Sequence, residues 1–174
     1  MRKLWVVGVA LTLCGLLGGC KSPRSSRASR TSRSSGHEPK GYQMGDPVKT
    51  GPLVYTVLDT EWFDQIGDPA APRLPRNHFL TVLISVTNTG SMTAGVPPLT
   101  IVNSQRVTYA EIGDANGVPE WLGYLRTVRP AETLHGRILF DAPTGDYSLR
   151  VLDDAEPENQ SSALIRMPLE LIRP

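Results

Sequence analysis

Ten residues in the middle of the chain, Phe79 to Asn88 (FLTVLISVTN), do most to limit its fold. Leu80, Val82, Ile84 and Val86 fall on one side of an extended backbone, and Thr81, Ser85 and Thr87 fall on the other. Strand side chains alternate faces, so a period of two marks a strand with one buried face. Leu53–Leu58, rich in aromatic and β-branched residues, reads as a strand, as do the shorter Leu99–Val102 and Val107–Glu111 and the segment Leu134–Phe140; Tyr147–Leu152 and Ala163–Leu171 repeat the alternation. In these, Ile138 and Phe140 face inward, as do Tyr147, Leu149 and Val151. Asn88-Thr89-Gly90-Ser91, Gly113 to Gly117 and Pro143 to Asp146 read as turns. Trp62–Arg76, with Gly67, Pro69, Pro72 and Pro75, reads as a loop, and Pro119–Leu125 fits either a short helical turn or an irregular loop. No ten-residue helical pattern separates the strands. Seven or eight short strands with regular turns predict an all-β, antiparallel sandwich of the immunoglobulin-like kind.

The first twenty residues set the location. Met1-Arg2-Lys3 is basic, Leu4–Leu17 is almost wholly apolar, and Leu17-Gly18-Gly19-Cys20 places small residues before a cysteine. This is the layout of a secretory signal peptide. Its end resembles the bacterial lipobox, which implies acylation of Cys20 and cleavage before it. Leu4 to Gly19 is 16 residues, short of the roughly 20 a membrane span needs. An ordinary secretory signal would not need the cysteine. The expected division is a signal peptide over 1–19, a lipidated Cys20 with a tether over 20–41, and a domain over 42–174. Cys14 and Cys20 are the two cysteines, so residues 42–174 contain no disulfide and depend on apolar burial.

A net charge of +1 hides two opposed segments. Lys21 to Gly41 holds six basic residues and one acid, whereas Tyr42 to Pro174 holds ten Lys/Arg and sixteen Asp/Glu. The first segment has no aliphatic residue larger than Ala28 and cannot bury enough surface to offset ordering entropy. It reads as a flexible tether with a root-mean-square span of roughly 25 Å. Its arginines suit contact with anionic headgroups or wall polymers. An exported chain gives such a tract no routine access to nucleic acid.

The runs FLTVLISVTNTG, VPPLTIV, VTYAE, VRPAETLHGRILFDAP and YSLRVLDD resemble a family of bacterial extracytoplasmic, telokin-like immunoglobulin-like domains of unknown function. Mycobacterial secreted immunogenic proteins are among its relatives. The shared features are a strand ending in Val-Thr-Asn, a Pro-Ala-Glu turn where relatives more often have Pro-Gly-Glu, and a Phe-Asp-x-Pro end. The resemblance implies a β-sandwich and export, and no catalytic residues.

Candidate chemistry is sparse. There is no Gly-x-Ser-x-Gly elbow, no phosphate-cradling glycine loop and no metal-type histidine pair. His37, His78 and His135 read as surface residues. Asp114-Ala115-Asn116-Gly117 fails as a calcium loop, because Gly123 stands where a bidentate glutamate is needed. Glu61, Asp64 and Asp68 are near one another in sequence, but a Pro-rich loop gives no rigid pair for glycoside hydrolysis. Asp153, Asp154 and Glu156 form an acidic loop that reads as solvated, with a weak calcium site as the alternative. Trp121, Tyr124 and Trp62 stand out as loop aromatics suited to partner binding, with core packing as the competing reading. The expectation is therefore a non-catalytic binding module without a cofactor, anchored to a membrane through its N-terminal lipid. Its partner would be an envelope protein or wall polymer. Lys21 is not the aspartate that retains such lipoproteins inside, so the outer membrane or cell surface is expected. The alternatives are a structural subunit that pairs through a strand edge, and an enzyme with a cryptic site.

Overall fold

A computed structural model of the chain describes residues 41–155 and 158–169. The segments expected to be a signal peptide (1–19) and, up to residue 40, a tether, together with Cys20 and Glu156, lie outside the described residues. The strands are β1 (Tyr42–Gln43), β2 (Val48–Thr50), β3 (Leu53–Phe63), β4 (His78–Asn88), β5 (Ala94–Val96), β6 (Thr100–Asn103), β7 (Thr108–Ala110), β8 (Arg126–Val128), β9 (Thr133–Ala142), β10 (Tyr147–Leu152) and β11 (Ser162–Met167). Among the described residues there is no helix.

One sheet runs β1-β11-β10-β6-β7 and the other β2-β3-β4-β9, while β5 and β8 form a separate ribbon. Apart from the parallel β1–β11 pair, the strand pairs are antiparallel. The order β3-β4-β9 against β11-β10-β6-β7 is that of strands A-B-E against G-F-C-C′ in an immunoglobulin-like sandwich. Between the sheets lies a core that includes Leu53, Tyr55, Val57, Leu80, Val82, Ile84, Val86, Ile101, Ile138, Phe140, Leu149, Val151 and Ile165. These are the inward residues of the period-two pattern. Each such side chain contributes roughly 1.5–3 kcal/mol through burial.

The main differences from the sequence reading have physical causes. β3 continues to Phe63 because a bulge between Val57 and Asp59 absorbs Leu58 and returns Thr60 and Trp62 to the inner face. Trp62 is thus a strand residue and not part of a loop. β11 stops at Met167, where Pro168 cannot continue the ladder. The short strands β1, β2, β5 and β8 carry too few residues to show a period.

Two local devices fix the corners. Tyr147 opens β10 and its hydroxyl donates to the Pro143 carbonyl at 2.7 Å, which is the tyrosine corner of immunoglobulin-like sandwiches. Two residues on, where antibody domains carry a cysteine, stands buried Leu149. Asn88, fully buried, donates to the Met92 and Val128 carbonyls and accepts from Gly90 N. That bonding accounts for the asparagine at the end of the central strand.

Candidate functional site

The outer face of the β3-β4-β9 sheet is not left to solvent. Phe63, Phe79 and Leu139 point outward there, and Ile66, Ala115, Val118 and Trp121 cover them in a second apolar cluster. Two loops supply the cover, one over 64–77 and one over 111–125. Gly117 (φ +90°) approaches Gly67 so closely that a Cβ there would stand 2.6 Å from the Gly67 Cα. Arg73 joins the loops by donating from Nη1 to the Asp114 carbonyl at 2.6 Å, and its guanidinium sits 5.8 Å from the Phe79 ring centre.

The second loop also seals a sheet edge. β9 is an edge strand, yet Ile112 N donates to Leu139 O, Leu122 N to Arg137 O, and Arg137 N to Glu120 O, at 2.8–3.0 Å. Gly136 allows this approach, since a Cβ there would meet Glu120 O at 2.6 Å. Exposed edges invite pairing with other chains, and the central part of this one is occupied.

Between the two loops lies a groove of about 330 Å³, within the range of ligand pockets. Phe63, Ile66 and Val118 are among its apolar lining, and Glu61, Thr81 and Arg137 among its polar lining. Arg137 Nη1 is 3.3 Å from Thr81 Oγ1 and 3.8 Å from Glu61 Oε2. A mostly buried guanidinium held beside a hydroxyl and a partly exposed carboxylate offers an orienting polar group between apolar walls. Sequence reasoning missed Thr81 and Arg137. The available signal was Phe79 and Leu139, large apolar residues at outward positions of their strands.

The predicted aromatics occupy different places. Trp121 is half-buried against the second cluster, and its indole nitrogen is buried without a hydrogen-bond partner. Half-buried Tyr124 lies against Gly113. Trp62 is on the opposite face of the sheet, packed on the main core with its ring 6.1 Å from that of Tyr147. The structure therefore brings Trp121 to the groove-bearing face and keeps Trp62 away from it. The side chain beside them that is strongly exposed is Leu125, at 91 %.

The acidic loop is built for its own backbone. Asp153 is buried; its Oδ1 accepts from Ala155 N and Ser161 N, and Asp154 Oδ2 accepts from Gly95 N. Among the described residues no group of three His, Cys, Asp or Glu side chains is placed to hold a metal ion. Asp114 makes an Asx turn to Asn116 N and Val118 N bonds to Ala115 O, so this segment is a turn. His78 Nδ1 lies 3.0 Å from Asp64 Oδ1, with both side chains exposed. Nothing in this geometry points to catalysis.

The class defined by fold and groove is an immunoglobulin-like β-sandwich with a loop-covered outer sheet face. Within that class, residues 42–158 match the family described as domain of unknown function DUF4352, and the chain belongs to it. No curated protein matches the sequence significantly. Similar solved structures include the yjhA protein of Bacillus subtilis, with a TM-score of 0.57 and 12 % identity over 72 % of this chain and 98 % of that one. Another is ycdA of Bacillus subtilis, a candidate lipoprotein, with a TM-score of 0.55 and 13 % identity; the match covers 75 % of this chain and 40 % of ycdA. A third is the secreted protein MPT63 of Mycobacterium tuberculosis, with a TM-score of 0.48 and 14 % identity, covering 76 % of this chain and 98 % of that one. Likeness to yjhA and ycdA at these identities establishes the fold alone.

Proposed function

We propose that this chain is a lipid-anchored, extracytoplasmic binding module, and that its ligand sits in the groove between the 64–77 and 111–125 loops. The observation that carries the reading is the groove itself: Arg137, Thr81 and Glu61 set between Phe63, Ile66 and Val118. Such an arrangement suits a segment of an envelope protein or wall polymer that offers an apolar group beside a hydrogen-bonding one. Trp121 and Tyr124 act mainly by holding the loop that forms one wall. Support for the anchor comes from the lipobox-like Leu17-Gly18-Gly19-Cys20 and from the candidate lipoprotein among the structural neighbours. Two acyl chains hold a protein firmly at a membrane where one does not. Assembly through the β9 edge is disfavoured by the loop bonds along it.

The test is photocrosslinking in intact cells. A photoreactive residue at exposed Gln65, on the groove, should give one discrete adduct, and the same residue at exposed Gln105, in the β6–β7 turn, should not. Equal labelling from both positions sinks the groove as the site. Independently, Cys20→Ala should abolish lipid incorporation and membrane retention. A variant that stays in the membrane fraction with its leader cleaved removes the anchor.

A further inference from the structure

We infer that the outer face of the β1-β11-β10-β6-β7 sheet is a docking surface for anionic phospholipid headgroups, laying the domain against the membrane. A broad concavity of about 860 Å³ opens there, and its lining includes Lys49, Arg150, Arg166, Leu152 and Leu164. The lining holds three cations and no carboxylate. The domain over 42–174 has sixteen acids and ten Lys/Arg, so this sign is opposite to that of the domain as a whole. Among the described residues, no carboxylate lies within 4.0 Å of Lys49, Arg150 or Arg166.

Strand register places the charges. Arg150 pairs with Leu164 and Ser148 with Arg166, so the two arginines are diagonal neighbours on one face, roughly 7–8 Å apart at the backbone. Like charges at that spacing repel, and an array of phosphates relieves the repulsion by bridging guanidinium groups. Leu164, 42 % exposed, sits beside them and supplies an apolar contact at headgroup depth. A phosphate-bearing surface complements the charge of this lining.

This inference rests on the membrane-anchored reading and concerns a different face from the groove. Its test is acetylation footprinting of the full chain, reconstituted on vesicles of phosphatidylcholine alone or with phosphatidylglycerol. Lys49 is the one lysine among the described residues, while Lys21 and Lys40 report on the tether. Lys49 should react about tenfold more slowly on the anionic vesicles, and the protection should fade as salt rises and screens the attraction. Each charge removed should weaken the contact about fivefold. Arg150→Glu with Arg166→Glu should therefore restore Lys49 reactivity while protection of Lys21 and Lys40 persists. Circular dichroism checks that this double variant is folded. Equal Lys49 reactivity on both vesicles overturns the inference, as does protection that survives the double reversal. Protection by soluble polyphosphate but not by anionic vesicles assigns the face to a polymer and also overturns it. Flotation on neutral vesicles reports the anchor separately, so its failure is distinguishable.

Discussion

Arg126 and Glu111 show how far a single pair can shape this domain. The Arg126 guanidinium donates from Nη1 and Nη2 to both Glu111 carboxylate oxygens at 2.8 and 2.7 Å, with both side chains essentially inaccessible. Glu111 Oε2 also accepts Leu99 N at 3.0 Å, whereas Arg126 Nε is buried without an acceptor. Removing one member of such a pair strands the other charge, so Arg126→Met or Glu111→Leu alone should cost about 3–5 kcal/mol. The double variant should lose less than either single one, because only the Leu99 amide is then left unpaired. Urea midpoints for the three variants check this, and a double variant as unstable as the worse single one would contradict it. Ala131 is a smaller case of local conflict. It occupies the third position of the Arg129–Glu132 turn at φ +60°, where a side chain costs roughly 1–2 kcal/mol. Ala131→Gly should stabilise the domain by about 0.5–1 kcal/mol after the extra freedom of the unfolded chain is subtracted. A lowered melting temperature would show that the turn is relaxed with alanine.

Among the elements, the two loops over the outer sheet face meet most tightly where Gly117 abuts Gly67. Gly117→Ala introduces a methyl against the Gly67 backbone and strains a left-handed residue, a cost above about 1 kcal/mol. The main core is separate from this contact. Amide exchange should therefore accelerate over 64–77 and 111–122, while β10 and β11 stay protected, and crosslinking from Gln65 should fall. Uniform acceleration across both sheets would mean that the loops and the sandwich unfold as one unit. The strands beneath were legible because alternation of residue types survives where one face stays partly exposed, as in β10 and in β4 from Leu83 onward. The groove was not legible, because its floor breaks that rule. Phe79 and Leu139 face outward and are buried by residues of two separate loops, among them Ile66, Ala115 and Val118, a coverage no local period reports. Arg126 was missed for a related reason. It shares the inward face with Val128, two residues on, but an arginine at an inward position reads as surface until its carboxylate partner is known.

At the scale of the whole molecule, titration couples the two sheets, because buried phenols sit between them and a clamped carboxylate sits at their end. Burial pushes Tyr147 up to about 12, with Tyr109 adding to the shift. Burial raises Tyr55 further still, against the pull of Arg126 and with Asp153 and Asp154 assisting; its hydroxyl donates to Leu152 O. For Asp141, burial acts upward, but hydrogen bonds from Arg76 N, Asn77 N and Asn77 Nδ2 prevail and leave it below the usual carboxylate range. Below pH 10 both phenols are protonated whether the chain is folded or not. Above it the unfolded chain releases protons that the folded one keeps, so stability falls by about 1.4 kcal/mol per pH unit for each tyrosine. Asp141 acts at the other limit, stabilising above roughly pH 4 and ceasing to do so as pH drops through its lowered value. Stability against urea should therefore be flat from about pH 5 to 9 and decline on both sides, with the steeper loss in alkali. Tyr147→Phe should roughly halve the alkaline slope between pH 10 and 12 while costing about 1 kcal/mol at neutral pH through the lost corner hydrogen bond. If the slope is unchanged in that variant, Tyr147 ionises as freely in the native protein as in the unfolded chain, and the corner is open to water.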